Sequence, residues 1–386
     1  MGIKSIWDKN KAEILALLMF KMPSFVYGVR QFKDIPIFCF HSARYPDFER
    51  QLSFIKQSGF RTLDGDELLE CLKDKDYKNN GKDIVLTFDD GLASVWVIAF
   101  PLLKRYNLKI ISFILPGLIE NSTEKSKQLD DCTNFQEILE LSGCDHSDRP
   151  LCNWAEIQEM HESGLVDFQS HGMLHRLVST TSKIVDYIHP DFDISNYGYT
   201  HVPEYQVEEG YSRKPVLGHP VYSHSPLLKE TNRYEDSKKV RDACAKFVEL
   251  NGGRLFFGSP DWREKLSAQV DSCFNESVER EKFTELDDDI VYELVESKRI
   301  IEEKLNKRVK HFCFPWFAAS RISVEQAYKA GYETVHLGAT AGFKANGEHL
   351  RVNMITRVQE EYFLALPGYK SLPSVIRFKM TRKASW

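Results

Sequence analysis

The chain has 386 residues, 42% hydrophobic and 28% charged, enough to build a sizeable core and too apolar for a disordered polymer. Its 51 Lys and Arg against 56 Asp and Glu leave a net charge of −5. That balance argues against a nucleic-acid binder whose affinity rests on neutralising phosphates.

Residues 1–33 form an apolar-basic piece, expected as one amphipathic helix packed on the body, with a peripheral membrane contact through residues 11–27 as the alternative. Ile14 to Phe20 (ILALLMF) is short for a signal-peptide core and no small-residue cleavage site follows it. No run reaches the ~20 apolar residues of a membrane span. The expected location is therefore the cytoplasm. The eight cysteines contain no C-x-x-C pair, which favours reduced buried thiols over a zinc finger or a redox dithiol.

From Ile35 the texture becomes strand, turn, helix. Ile35 to Phe40 reads as a strand, Phe48 to Gly59 as a helix, Phe60 to Leu63 as a short strand and Asp64 to Leu72 as a capped helix. Asp83 to Phe88 is a strand, Ala93 to Tyr106 a helix, Lys109 to Leu115 a buried strand, Trp154 to Gly164 a helix and Val166 to Gln169 a strand. Such alternation predicts a parallel α/β sheet or barrel with its site at the carboxyl ends of the strands. The stretch 182–289, rich in Tyr, His, Pro and Asp, breaks this rhythm and reads as an inserted lid or subdomain. The frame resumes with a helix from Val291 to Leu305, a strand from Val309 to Phe314, a helix from Val324 to Ala330 and a strand from Glu333 to Leu337. The expected divisions are thus 1–33, a body of 34–181 and 290–370, the insertion 182–289, and a basic tail 371–386.

Three constellations carry chemistry. Thr87-Phe88-Asp89-Asp90-Gly91 closes an apolar strand with two adjacent carboxylates, which repel unless something compensates them. A divalent metal does so, one carboxylate ligating it while the other acts on its bound water; a solvent-facing Asp-Asp-Gly turn is the plainer alternative. Ser170-His171-Gly172-Met173-Leu174-His175 follows another strand, and on a helix His171 and His175 would share a face and one metal. Two imidazoles and one carboxylate, from Asp90, leave coordination positions open, as in a catalytic site. Phe312-Cys313-Phe314-Pro315-Trp316-Phe317 ends a third strand, where a Pro turn can aim a backbone N–H at a pocket and aromatics can wall it, or where the rings simply pack.

Taken in order, these motifs resemble the polysaccharide deacetylase family (the NodB homology domain, carbohydrate esterase family 4). Thr87 to Gly91 matches its TFDDG, Ser170-His171-x-x-x-His175 its SHTxxH with Gly172 for Thr, and Phe314 to Phe317 its YPYG. Flanking text agrees (FPLLKRYNLKIISFIL; LCNWAEIQEMHESGLVDFQSH), over roughly residues 35–180 and 291–360. The resemblance implies a distorted (β/α)7-type barrel interrupted by a long inserted subdomain. It implies one divalent metal held by Asp90, His171 and His175, with Asp89 as general base and the Trp316 N–H as an oxyanion donor. Zn2+ is the favoured ion, though the donor set suits Co2+ and Ni2+ almost equally.

The chain departs from the family pattern at two points. No late L-x-H motif supplies the general acid, and Phe317 stands where YPYG ends in Gly. His41 and His336, each at a strand end, are the candidates for the acid or a substrate contact. Arg351 or Arg357 would orient Asp89. His189, His201, His219 and His224 of the insertion are expected in surface or local packing. The implied activity is removal of an N-acetyl group from an amino sugar of a surface polysaccharide or its nucleotide- or lipid-linked precursor. A deformylase or small-molecule amidohydrolase with the same site, and a non-catalytic carbohydrate-binding pseudoenzyme, are the alternatives.

Overall fold

The computed structural model describes residues 16–17, 19, 22–28, 34–192, 216–275, 282–338 and 354–381. The chain forms two compact units, one of Met1–Met173, Leu294–Ala318 and Ala327–Trp386, the other of Leu174–Glu293 and Ala319–Gln326. The first unit contributes β1 (Ile37–Phe40), β2 (Arg61–Thr62), β3 (Asp83–Phe88), β4 (Ile110–Ile114) and β5 (Val166–Ser170). The second contributes β6 (Leu177–Tyr187), β7 (Pro220–Pro226), β8 (Asn232–Tyr234) and β9 (Phe283–Glu285) before the first resumes with β10 (His311–Cys313), β11 (Thr334–Gly338) and β12 (Met354–Gln359).

In the first unit the order runs β1-β12-β11-β10-β5-β4-β3, and β3 pairs back onto β1. All these pairings are parallel. The result is the closed seven-stranded barrel expected from the resemblance, with β2 added on the outer side of β3. Closure fixes which residues face inward. Ile37, Val85, Ile111, Phe113, Cys313 and Ile355, from five different strands, share one buried cluster. Because successive strand residues alternate in direction, Cys39, Thr87 and Arg357 point the same way as Ile37, Val85 and Ile355. The opposite face carries Phe38, Phe40, Leu86 and Phe88, all buried outside the barrel; Phe40 stacks on Phe88 with ring centroids 5.2 Å apart.

The helices start where the sequence supplies caps. Asp64 accepts from the Glu67 N–H while Glu67 reaches back, opening helix Gly65–Lys73; Asn153 and Glu156 do the same for helix Trp154–Glu162. The expected helix over Ala93 to Tyr106 is present, with a π-helical turn, Val95–Ala99, running into its α-helical part, Phe100–Tyr106. Pro101 lacks the N–H that an unbroken α-helix would need there, and the wider turn absorbs the loss. Most of the expected N-terminal helix over 1–33 lies outside the described residues. Ser24–Tyr27 is a short 3-10 turn whose Phe25 and Val26 are buried, with Phe25 edge-on to Phe38 at 5.5 Å. Among the described residues no helix is long and apolar enough to cross a membrane.

The second unit holds two antiparallel pairs, β6 with β7 and β8 with β9. Helices Lys238–Leu250 and Trp262–Asn275 bury Val240, Cys244, Val248, Trp262, Leu266 and Val270 in its core. The regular elements within 182–289 escape a periodicity reading because β7 begins and ends in Pro and the β6–β7 register slips between Ser179 and Asp186.

The barrel wall gives a direct stability test. Leu86 is fully buried, so Leu86→Ala should cost about 2–5 kcal/mol. Urea unfolding should show this as a lowered midpoint at unchanged slope; a midpoint equal to wild type would contradict the packing described.

Candidate active site

Three consecutive barrel strands end at one rim. Phe40 pairs with Phe88 and Cys39 with Gln359, so β3, β1 and β12 deliver Asp89, His41 and Glu360 to neighbouring positions. The Asp89 N–H bonds the Phe40 carbonyl at 3.0 Å, prolonging the β1–β3 ladder one step beyond the strand. Asp90 (φ 71°) and Gly91 (φ 74°) then turn the chain sharply through the left-handed region. Gly91 is needed there, since an added Cβ would sit 3.0 Å from the Ile114 side chain in a conformation that side chains resist.

The two adjacent carboxylates receive opposite environments. Asp89 lies inside the barrel, gripped by Arg357 through Nη1 to Oδ1 at 2.6 Å and Nη2 to Oδ2 at 2.8 Å. Nη1 also donates to Thr87 Oγ1 at 3.0 Å, and Thr87 donates to the Phe38 carbonyl at 2.8 Å. The Cys39 thiol donates to Asp89 Oδ2 at 3.3 Å, and Cys313 Sγ lies 3.9 Å from both carboxylate oxygens. Burial alone would push the Asp89 carboxyl up, but Arg357, followed by His171, holds it well below the usual carboxylate range. Burial pushes the Asp90 carboxyl up against the opposing pull of His171 and His41, with Asp89 adding to the rise.

His171 follows β5 and donates its Nδ1–H to the Cys313 carbonyl at 2.9 Å. That bond leaves Nε2 directed at the acids, 3.5 Å from Asp90 Oδ1 and 3.9 Å from Asp89 Oδ2. A backbone carbonyl on one ring nitrogen is the usual support for a metal-binding imidazole. One donor atom from each of Asp90, His171 and His175 lies within 4.8 Å of the other two, and all three residues are buried. The connection after β5 is not the helix expected from the i, i+4 spacing. It is an irregular turn in which Gly172 (φ 89°) and His175 (φ 56°) are left-handed, so the histidine pair is brought together by a turn and not by a shared helical face.

His41 is exposed at the rim, and one of its ring nitrogens lies within 4.8 Å of both a carboxylate oxygen of Asp89 and Cys39 Sγ. Trp316 follows β10 in a 3-10 turn, Pro315–Phe317, and is 46% exposed. Both Trp316 (φ 59°) and Phe317 (φ 56°) are left-handed. At 317 the family pattern has Gly, and Phe317 adopts a backbone that glycine takes without strain. Its ring lies 5.0 Å from the Arg357 guanidinium. Among the described residues His336 joins no such cluster; it is fully buried inside the barrel, 4.8 Å from the Phe113 ring, and burial followed by His311 and Arg357 drives its imidazole well toward the neutral form. Of the two arginines considered for Asp89, Arg357 does the holding and Arg351 lies outside the described residues, as does His201. His189 packs on Trp262 at 5.4 Å and His224 bonds the Tyr222 carbonyl. The Cys39 and Cys313 contacts went unread in the sequence. Their signal was positional: Cys39 shares the inward parity of Ile37, and Cys313 sits two residues before the Pro turn.

The Asp89–Arg357 pair makes a testable demand. Arg357→Met leaves a buried carboxylate without its partner and should cost about 3–5 kcal/mol near pH 7. Because Asp89 is held below its ordinary value, the pair stabilises above an unfolded-state value near 3.9 and its contribution fades as pH falls beneath that. The gap between variant and wild type should therefore narrow below about pH 4. Denaturant titrations giving an equal gap at pH 7 and pH 3 would refute the assignment.

The polysaccharide deacetylase family matches residues 76–214. The chain is 32% identical over 89 residues to YxkH of Bacillus subtilis, named as a polysaccharide deacetylase, taking in 21% of this chain and 32% of that protein. It is 27% identical over 135 residues to the poly-beta-1,6-N-acetyl-D-glucosamine N-deacetylase of Staphylococcus epidermidis, taking in 34% of this chain and 37% of the relative. The chain thus spans about a third of the length of these curated relatives. A solved de-N-acetylase from Aggregatibacter actinomycetemcomitans is also similar, at 13% identity and a TM-score of 0.47, covering 89% of this chain and 99% of that one. Residues 76–214 are thus the part of the chain that is similar to the polysaccharide deacetylase family.

Proposed function

We infer that the chain hydrolyses an N-acetyl group on an amino sugar of a polysaccharide or its precursor. The observation that carries this reading is the division of labour between two adjacent carboxylates, Asp89 clamped by Arg357 and Asp90 grouped with His171 and His175. Asp90, His171 and His175 would hold one divalent cation, Zn2+ by preference, with Co2+ and Ni2+ suited to the same donors. When bound, such an ion lowers the pKa of a water and polarises an amide carbonyl.

The residues supply the rest. Asp89 is the general base, and Arg357 keeps it ionised and aimed so that it can take the proton of the attacking water. The Trp316 N–H, on the turn after β10, is the donor for the carbonyl oxygen as charge develops there. The leaving amine needs a proton. His41, exposed at the rim and within 4.8 Å of Asp89, is better placed to give it than His336, which has no exposed surface. An amino-sugar substrate is supported by the N-acetyl-D-glucosamine N-deacetylases among the relatives.

The test uses the zinc-loaded chain and a panel of N-acetylated glycan oligomers that includes β-1,6-linked N-acetylglucosamine. Asp89→Asn should retain near-stoichiometric zinc while kcat falls roughly 10²–10⁴-fold, whereas His175→Ala should lose the metal itself. Mass spectrometry of the product separates loss of acetyl from loss of formyl. Normal turnover by Asp89→Asn, or full zinc retention by a variant lacking both His171 and His175, would end this reading.

A further inference from the structure

Phe317 holds a left-handed backbone, φ 56°, that side chains resist, and strain of that kind persists only where the surroundings fix it. What fixes it lies on the next two strands. β11 and β12 run parallel with Gly338 in register with Arg357, and residues level across such a pair point to the same face. A side chain at 338 would therefore stand beside that of Arg357. Phe317 fills the place instead: a Cβ added to Gly338 would lie 2.7 Å from the Phe317 Cβ and 2.8 Å from its Cγ. From this seat the half-buried ring comes within 5.0 Å of the Arg357 guanidinium. Arg357 is a cation that gains from a ring. It is 1% exposed, and its terminal nitrogens are taken up by Asp89 and Thr87. Its Nε meets no hydrogen-bond partner among the described residues. A desolvated guanidinium is stabilised by aromatic faces; Phe113, on β4, lies 5.4 Å away within the barrel, and Phe317 adds the second ring from the rim.

We propose that Phe317 is a positioning residue for Arg357: its ring, seated in the gap left by Gly338, holds the guanidinium in the geometry that grips and aims Asp89. The catalytic consequence rests on the amide-hydrolysing reading above; the seating of the ring and its hold on the cation do not. The two parts of the proposal make separate demands. Seating requires that position 338 stay bare for as long as a ring occupies 317. The hold requires a ring whose face carries negative charge, since an apolar filler of the same shape would fit the gap without attracting the guanidinium.

Seating is tested by a double-mutant cycle in the full chain, read by urea unfolding. Gly338→Ala should lower the midpoint in the wild-type background, where its methyl meets the ring. In Phe317→Gly, whose left-handed backbone glycine takes without strain, the same alanine should leave the midpoint unchanged or raise it. An equal fall in both backgrounds overturns the seating. The hold on Arg357 is tested by placing ring-fluorinated phenylalanines at 317, which keep the shape while draining negative charge from the ring face. The urea midpoint should fall stepwise with each added fluorine. On N-acetylated oligomers with zinc, kcat should fall in the same order, about tenfold for the trifluorinated ring with KM within about twofold. A kcat indifferent to fluorination overturns the positioning role, even if the cycle shows the seating. If the wild-type chain hydrolyses none of the oligomers the amide-hydrolysis reading fails by itself, and the midpoints still decide the seating and the hold.

Discussion

A guanidinium and a carboxylate, both almost wholly buried, face each other inside the barrel, and their mutual neutralisation lets it hold this pair of charges. Asp89 and Arg357 are both almost wholly buried, and neither would survive there ionised without the other. The pairing sorts the two neighbouring acids as well. Arg357 grips Asp89 through both of its terminal nitrogens, while Asp90, one residue on in a left-handed backbone, takes its largest opposing pull from the imidazoles of His171 and His41. One arginine thereby divides an otherwise self-repelling Asp-Asp pair into two chemically distinct groups.

The polar character of the interior continues below this pair. The positions that alternation turns inward carry Thr87, Cys39, Cys313 and His336 beside apolar Ile37, Val85 and Phe113. Further along, His311 Nδ1 meets Thr334 Oγ1 at 2.6 Å, and Gln169 Oε1 accepts the Lys310 and His311 N–H groups at 3.0 Å each. A barrel interior with this many hydrogen-bonding groups is specified by its polar partners as much as by its volume.

Much of this was legible in the sequence because strong local signals coincided. The strand at Asp83–Phe88 is an unbroken apolar run, the helix starts carry Asp64 and Asn153 as caps, and the Asp-Asp-Gly, Ser-His and Phe-Pro-Trp motifs each follow a strand. What escaped was information held in closure and in backbone shape. β12 contains Ile355 and Arg357 on one face and Val358 on the other; nothing in so short a segment says that it completes a barrel, and the sequence does not choose between Arg351 and Arg357 as the partner of Asp89. The turn that carries His175 has helical spacing but left-handed residues, and spacing alone cannot tell these apart.

The seam between the first and last strands also sets an order of events during synthesis. Asp89 and Arg357 are 268 residues apart, so the carboxylate leaves the ribosome long before the guanidinium that must neutralise it. Until β12 is made, the nascent barrel has one open edge at β1 and another at β11, and Asp89 can stay hydrated only if the strands around it remain loose. Closure of the barrel and the neutralisation of its charged centre therefore both wait for the same strand, β12.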